Sequence, residues 1–171
     1  MDNELDKLRL AVDSGEHPLG SRADNYRVFL NMLQQSDTCI DIFSQHLDHK
    51  LYDTPEIIAQ LQRFLRRNAH AQMRLLLRDP RHLVTHGHRI IELSRRLSSY
   101  IEIRQLAETC YAHIESFSLF DRRGILYRPN SEQFEGWFSF HAPVRVKSET
   151  EFFNEAWELS LPCQETRRLY L

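Results

Sequence analysis

Three observations predict an α/β fold with a mixed, mostly parallel sheet flanked by helices. Three short runs of strand-forming residues, 38–45, 73–78 and 100–106, alternate with two stretches whose apolar residues recur at helical spacing. That βαβαβ rhythm calls for parallel pairing through right-handed crossovers. The pattern then changes: residues 116–121 and 124–128 flank Arg122-Arg123 and read as a hairpin, which adds antiparallel strands. At 171 residues, with 42% hydrophobic content and no internal repeat or linker, the chain suits one domain.

Residues 1–21 carry mixed charge and read as a frayed leader holding at most a short helix or strand. Ser21 or Asp24 caps a helix running to about Gln35, with Tyr26, Phe29, Leu30 and Leu33 on one face. The first strand, 38–45, is followed by a loop over 47–52. Asp53-Thr-Pro-Glu56 then starts a helix: a capping oxygen, a proline in the first turn, and an acid near the positive end of the dipole. That helix reaches Arg67 with Ile57, Ile58, Leu61, Phe64 and Leu65 at helical spacing. The second strand, 73–78, is apolar throughout its middle, as a strand covered on both faces should be. A helix over 82–97 and a third strand at 100–106 follow. After the hairpin come a strand at 136–141 and a last helix at 148–159, where Ser148-x-x-Glu151 matches a capping box. Residues 161–171 read as a tail.

No apolar run approaches the ~20 residues that span a bilayer, so no membrane insertion is expected. The acidic N-terminus lacks the apolar core of a signal segment, which makes the cytoplasm the expected compartment. Three scattered cysteines argue against a disulfide framework or a zinc ribbon. Charge is uneven. The net is −2, but 13 arginines and 6 acids fall between Gln60 and Arg128, and the whole chain uses 19 arginines against 3 lysines. Arginine forks grip phosphate and carboxylate in a bidentate way that lysine cannot, so an anionic partner stands beside the plainer reading of surface ion pairs.

The candidate site residues gather around 111–129. His113 and Glu115 are alternate residues at a strand start and share a face, as an acid/base pair or as a plain polar pair. Asp121 either orients a histidine or opens the turn before Arg-Arg-Gly. Arg122, Arg123 and Arg128 are candidate phosphate contacts. Ligands of open α/β sheets collect beyond the carboxyl ends of the strands, which adds His49 and Lys50 after the first strand and Arg81 after the second. His82 and His86 share a helix face, and His88 joins them only if the Gly87 segment is non-helical. With no acid or cysteine completing that set nearby, no metal is expected, and no cofactor either. Trp137, Phe138 and Phe140 fit a core or interface better than a stacking platform for nucleic acid.

In order, the elements are a strand, a loop and long helix, a strand of the Arg-Leu-Leu-Leu type, a helix, and a strand of the Ile-Glu-Ile-Arg type. A hairpin whose first strand ends in Asp-x-x-Gly and a closing Phe-x-x-x-Trp helix complete the series. Over residues 22–160 this resembles a single phospholipase D-like domain, and is most similar to a bacterial branch of that superfamily with no assigned function. The resemblance implies a catalytic His-x-Lys-x-x-x-x-Asp motif, two copies of which, from tandem domains or a homodimer, make an enzyme. Here the motif is out of register. Counting back from Asp121 puts Ile114 and Ser116 at the histidine and lysine positions. Counting from His113 puts Glu115 and Phe120 at the lysine and acid positions. A carboxylate in place of the lysine repels a phosphodiester. The expectation is therefore a non-catalytic phospholipase D-like module that binds a phosphate-containing ligand, a nucleic acid or a protein. The alternative is a phosphodiesterase assembled as a homodimer with His113, Glu115 and Asp121 as an altered catalytic set.

Overall fold

The computed structural model describes residues 2–163 of the chain. Eight strands make one sheet: β1 (His17–Leu19), β2 (Cys39–Ser44), β3 (Gln72–Leu77), β4 (Ile101–Gln105), β5 (Ser116–Phe120), β6 (Gly124–Arg128), β7 (Gly136–Ser139) and β8 (Leu161–Pro162). Their spatial order is β1-β7-β6-β5-β2-β3-β4-β8. The helices are α1 (Asp2–Leu5), α2 (Arg22–Gln35), α3 (His49–Tyr52), α4 (Pro55–Arg67), α5 (Arg81–His86), α6 (Arg89–Arg96) and α7 (Pro143–Leu159).

The sheet is mixed, as expected, but it is not mostly parallel. Parallel pairing is confined to β2–β3 and β3–β4, and every other neighbouring pair is antiparallel. The reason lies in the connections. A helical crossover returns the chain to the start of the next strand, so β2, β3 and β4 run together. The segment from Leu106 to Glu115 carries only a short 3₁₀ turn and does not cross back. β5 therefore starts at the carboxyl end of the parallel strands and runs down beside β2. The three-residue turn after it forces β6 antiparallel.

Alternation along the strands builds two apolar layers. Ile40 and Ile42 of β2 join Met73, Leu75 and Leu77 of β3 under α2, α4 and α6. Phe43, Leu76, Phe117 and Leu119 point to the other face, where α7 brings Val146, Phe153, Ala156 and Trp157. Coverage of β3 on both faces is what its apolar middle called for.

Several elements differ from the sequence reading. Residues 1–21 were expected to fray, yet β1 pairs with β7 and the Ala11 N–H donates to the Phe140 carbonyl at 2.9 Å, because Leu5 and Leu19 have apolar surface to bury. The tail begins with β8, paired to β4, and its remainder, 164–171, lies outside the described residues. The loop at 47–52 contains α3, capped by Asp48, whose Oδ1 accepts from the N–H groups of Lys50 and Leu51. The helix over 82–97 is two helices, broken where Gly87 takes φ 71°, a conformation a β-carbon would strain. α7 starts at Pro143, one turn and more before Ser148, so the capping box does not form there: Pro143 fits the first turn and Ser148 lies exposed inside the helix.

Candidate functional site

The carboxyl ends of β2, β3 and β4 and the starting end of β5 share one rim of the sheet. His113 and Glu115 stand on it, just before β5. The carboxylate holds the imidazole, with Nδ1 and Oε1 2.8 Å apart, and the ring leans on Phe152 of α7 at 4.3 Å between centroids. The pair sequence reasoning proposed is therefore formed. α7 adds two groups that the sequence did not single out. Glu149 is buried and ion-paired to Arg145 at 2.7 Å. Burial pushes the Glu149 carboxyl up, the Arg145 guanidinium opposes this, and the Glu115 charge adds to the rise. Arg145 in turn covers the ring of Tyr127 at 4.5 Å, and Tyr127 packs on Trp137 at 5.5 Å. Trp137 is thus part of a half-exposed aromatic patch, while Phe138 and Phe140 belong to the core as expected.

Two further guanidiniums reach the same rim. Arg78 follows directly on β3, half-exposed, and lies over the Tyr111 ring at 4.5 Å. Arg128 ends β6 and is buried. Its Nη2 donates to Ser116 Oγ at 3.1 Å and its Nη1 to the Gln133 carbonyl at 3.2 Å, while Nε has no partner among the described residues. Among the described residues neither arginine has a carboxylate within ion-pair distance. Arg78 was legible in principle, since it precedes Asp79 and Arg81 at the carboxyl end of the strand.

Other candidates sit elsewhere. Asp121 lies at the opposite end of β5, about 17 Å along the strand from the His113 end at ~3.3 Å per residue. It does not join His113 and Glu115. Its carboxylate accepts from the backbone N–H groups of Asp37, Thr38 and Cys39 and from the Thr38 hydroxyl, all at 2.8–3.0 Å, and so ties the hairpin to the start of β2. Asp121 and Arg122 both have positive φ, 51° and 54°, which puts the charged turn at that far end. Arg122 and Arg123 are exposed there and do not contribute to the rim. On the rim itself, Lys50 is exposed on α3, and Arg81 reaches Asp79 at 3.7 Å. His49 shares its Nδ1 with Asp53 Oδ2 at 3.1 Å, and its ring lies 4.8 Å from that of His88. The break at Gly87 takes His88 away from His82 and His86 and into contact with His49. Asp53 does not cap the helix it precedes; Thr54 does that, its hydroxyl accepting the Ile57 N–H at 3.2 Å.

Residues 21–169 match the model of one family, Domain of unknown function (DUF7931). The chain belongs to this family. A search of curated proteins returns no match. Among solved structures, the chain is similar to TrmBL2, an archaeal chromatin protein with a novel mode of DNA binding, at 14% identity and a TM-score of 0.63, over 89% of this chain and 55% of that one. It is also similar to Nuc, a phospholipase D family member from Salmonella typhimurium, at 15% identity and a TM-score of 0.59, over 87% and 99%. A third likeness is to phosphatidylserine synthase from Haemophilus influenzae Rd KW20, at 10% identity and a TM-score of 0.61, over 92% and 42%. The chain thus spans little more than half of the archaeal protein and less than half of the synthase. At these identities the likeness establishes the fold, which is phospholipase D-like. Among the described residues no helix is long and apolar enough to cross a membrane.

Proposed function

We propose that this chain is a non-hydrolysing phospholipase D-like module that binds a phosphate-containing ligand, nucleic acid foremost, on the rim at the carboxyl ends of β2, β3 and β4. The observation that carries the reading is Arg78: a half-exposed guanidinium laid on the Tyr111 ring with, among the described residues, no carboxylate within ion-pair distance. Such an arginine keeps its fork free for a phosphate while the aromatic fixes its plane. The Tyr127–Trp137 patch, with Arg145 laid on it, adds the stacking surface that single-stranded nucleic acid uses. The DNA binding of TrmBL2, which shares the fold, agrees with this choice of ligand. Hydrolysis is disfavoured by the carboxylates. Glu115 stands two residues after His113, where the superfamily motif has lysine, and Glu149 is next to it. Phosphoryl transfer needs positive charge around the equatorial oxygens, and two acids supply the opposite.

One observation favours a second reading. His113 is held by a carboxylate through Nδ1, which is how a nucleophilic or general-base imidazole is oriented. On that reading two chains form a homodimeric phosphodiesterase. Two assays separate the readings. Anisotropy of labelled single-stranded DNA and RNA across a salt series should show binding that weakens as salt rises. Arg78→Ala should lower affinity and reduce the slope by about one counterion. No binding at low salt sinks the proposal. Turnover of an aryl phosphodiester by the wild type, abolished in His113→Ala, would establish the hydrolase instead.

A further inference from the structure

Five of the nine histidines collect on one part of the rim, around α3 and the α5–α6 break. His82 stacks on His86 at 4.1 Å, His46 lies 6.3 Å from His82, and His49 lies 4.8 Å from His88. Within this group, His49, Asp53 and His88 each offer a ligand atom within 4.8 Å of the other two. We infer that these three residues form a site for a divalent transition-metal ion of the Zn²⁺ class, with a fourth position open to water or an anionic oxygen.

The spacing suits such an ion. A tetrahedral ion with bonds of ~2.1 Å holds its ligand atoms about 3.4 Å apart. His49 Nδ1 and Asp53 Oδ2 are 3.1 Å apart, so they need to open by only a few tenths of an ångström. The other separations, at most 4.8 Å, would have to close by up to about 1.4 Å on binding. Imidazole with one carboxylate selects zinc, cobalt or nickel over the harder magnesium and calcium.

His88 supplies an independent sign of a missing ligand. It is 3% exposed, and its Nε2 is buried with no hydrogen-bond partner among the described residues. Its Nδ1 accepts the Ile90 N–H at 3.2 Å, so the neutral ring keeps its proton on the unpartnered Nε2. A buried donor left this way is costly. Metal binding at Nε2 releases that proton, and Nδ1 takes one up in giving up the long bond to Ile90. The ring remains neutral throughout, and one weak hydrogen bond is exchanged for a coordinate bond.

Asp53 is prepared for the role. Its Oδ1 accepts the Arg89 backbone N–H at 3.0 Å, which leaves Oδ2 toward His49. Such outer bonds orient ligating carboxylates. Arg89 is the cation nearest the set. Its Nη1 is engaged by the Asp53 carbonyl at 2.8 Å and stands 4.0 Å from Oδ1, rather than occupying Oδ2. His82 and His86 are exposed, and among the described residues no carboxylate completes a three-ligand set with them.

The test uses the full chain without an affinity tag, stripped with chelator. Zn²⁺ is titrated calorimetrically, and Co²⁺ is followed by its visible d–d bands. One ion per chain is expected, with the band intensity of a four- or five-coordinate site. His49→Gln, at a partly exposed position, should weaken binding at least about tenfold and bleach the bands. The double variant His82→Gln/His86→Gln should leave both unchanged. His88→Asn should also lose the bands if circular dichroism shows it folded, and His49→Gln carries the test if it is not. Absence of saturable binding, full binding by His49→Gln, or loss of binding in the His82/His86 variant would each overturn the site.

Discussion

Removing Arg74 should unmask a buried charge in the centre of the sheet. Asp41 and Arg74 face each other in the β2–β3 register, with Nε to Oδ1 at 2.7 Å and Nη2 to Oδ2 at 2.8 Å. The Asp41 side chain is 2% exposed and that of Arg74 23%. The guanidinium also donates to Asn154 Oδ1 and lies on Phe153 and Trp157 at 4.7 and 5.3 Å. Burial pulls the Arg74 pKa down, and the Asp41 carboxylate more than restores it, for a net rise. Arg74→Met fills the space but leaves Asp41 without a cation. Breaking a buried pair in this way costs ~3–5 kcal/mol, and the partial exposure of Arg74 puts the value near the lower end. For a chain of this length about 3 kcal/mol lowers Tm by roughly 10 °C. The double variant Asp41→Leu/Arg74→Met leaves no charge behind and should recover to within about 1 kcal/mol of wild type. Urea denaturation of the wild type, both single variants and the double variant gives the coupling directly. Additive single effects, or a single-variant loss below about 1 kcal/mol, would show that the pair is solvated and the reasoning mistaken.

A β-carbon at Gly136 would lie 2.1 Å from the Tyr127 carbonyl oxygen and 3.0 Å from the Arg128 Cα, both backbone atoms, so Gly136→Ala should separate β7 from β6 and cost several kcal/mol in thermal unfolding; a Tm within about 3 °C of wild type, roughly the shift of 1 kcal/mol, would contradict it. Asp121→Ala removes the acceptor of three backbone N–H groups and one hydroxyl and should cost about 1–3 kcal/mol in urea, with anisotropy-measured ligand binding on the distant rim unchanged; reduced binding in a folded variant would return Asp121 to the site. Because the folded Glu149 pKa lies above its ordinary value, the native state holds the proton more tightly than the unfolded chain, so this group's contribution to stability is lost as pH rises from the ordinary carboxyl range through the raised value. Glu149→Gln should therefore gain stability relative to wild type as pH rises across that window, in paired urea titrations; a gain by the wild type instead would mean that the Arg145 ion pair outweighs burial.

Much of the architecture was legible because it is written in local periodicity. The apolar runs at 73–78 and 100–106, the helical spacing of Ile57, Leu61, Phe64 and Leu65, and Pro55 behind a capping threonine all depend on neighbours in the chain. The same holds for His113 and Glu115, two residues apart at a strand start, which do meet. What failed were readings in which a local signal competed with a distant one. Ser148-x-x-Glu151 satisfies the capping-box pattern, yet Pro143 starts the helix a turn earlier. Asp121 looks like a motif residue or a turn former, and its four donors come from Asp37, Thr38 and Cys39, more than eighty positions away.

The sequence by itself determined the α/β class, the order of strands and helices, and the arginine excess, since composition and periodicity are properties of short windows. Only the tertiary structure decided which charges share an end of the sheet. Strand direction sets that, and direction depends on whether each connection crosses back. The absent crossover after β4 puts His113, Glu115 and Arg128 at the same end of the sheet as Arg78, and sends Asp121, Arg122 and Arg123 to the far end. The bend at Gly87 likewise takes His88 out of its own histidine run and brings it to His49 and Asp53, a meeting no spacing in the sequence records.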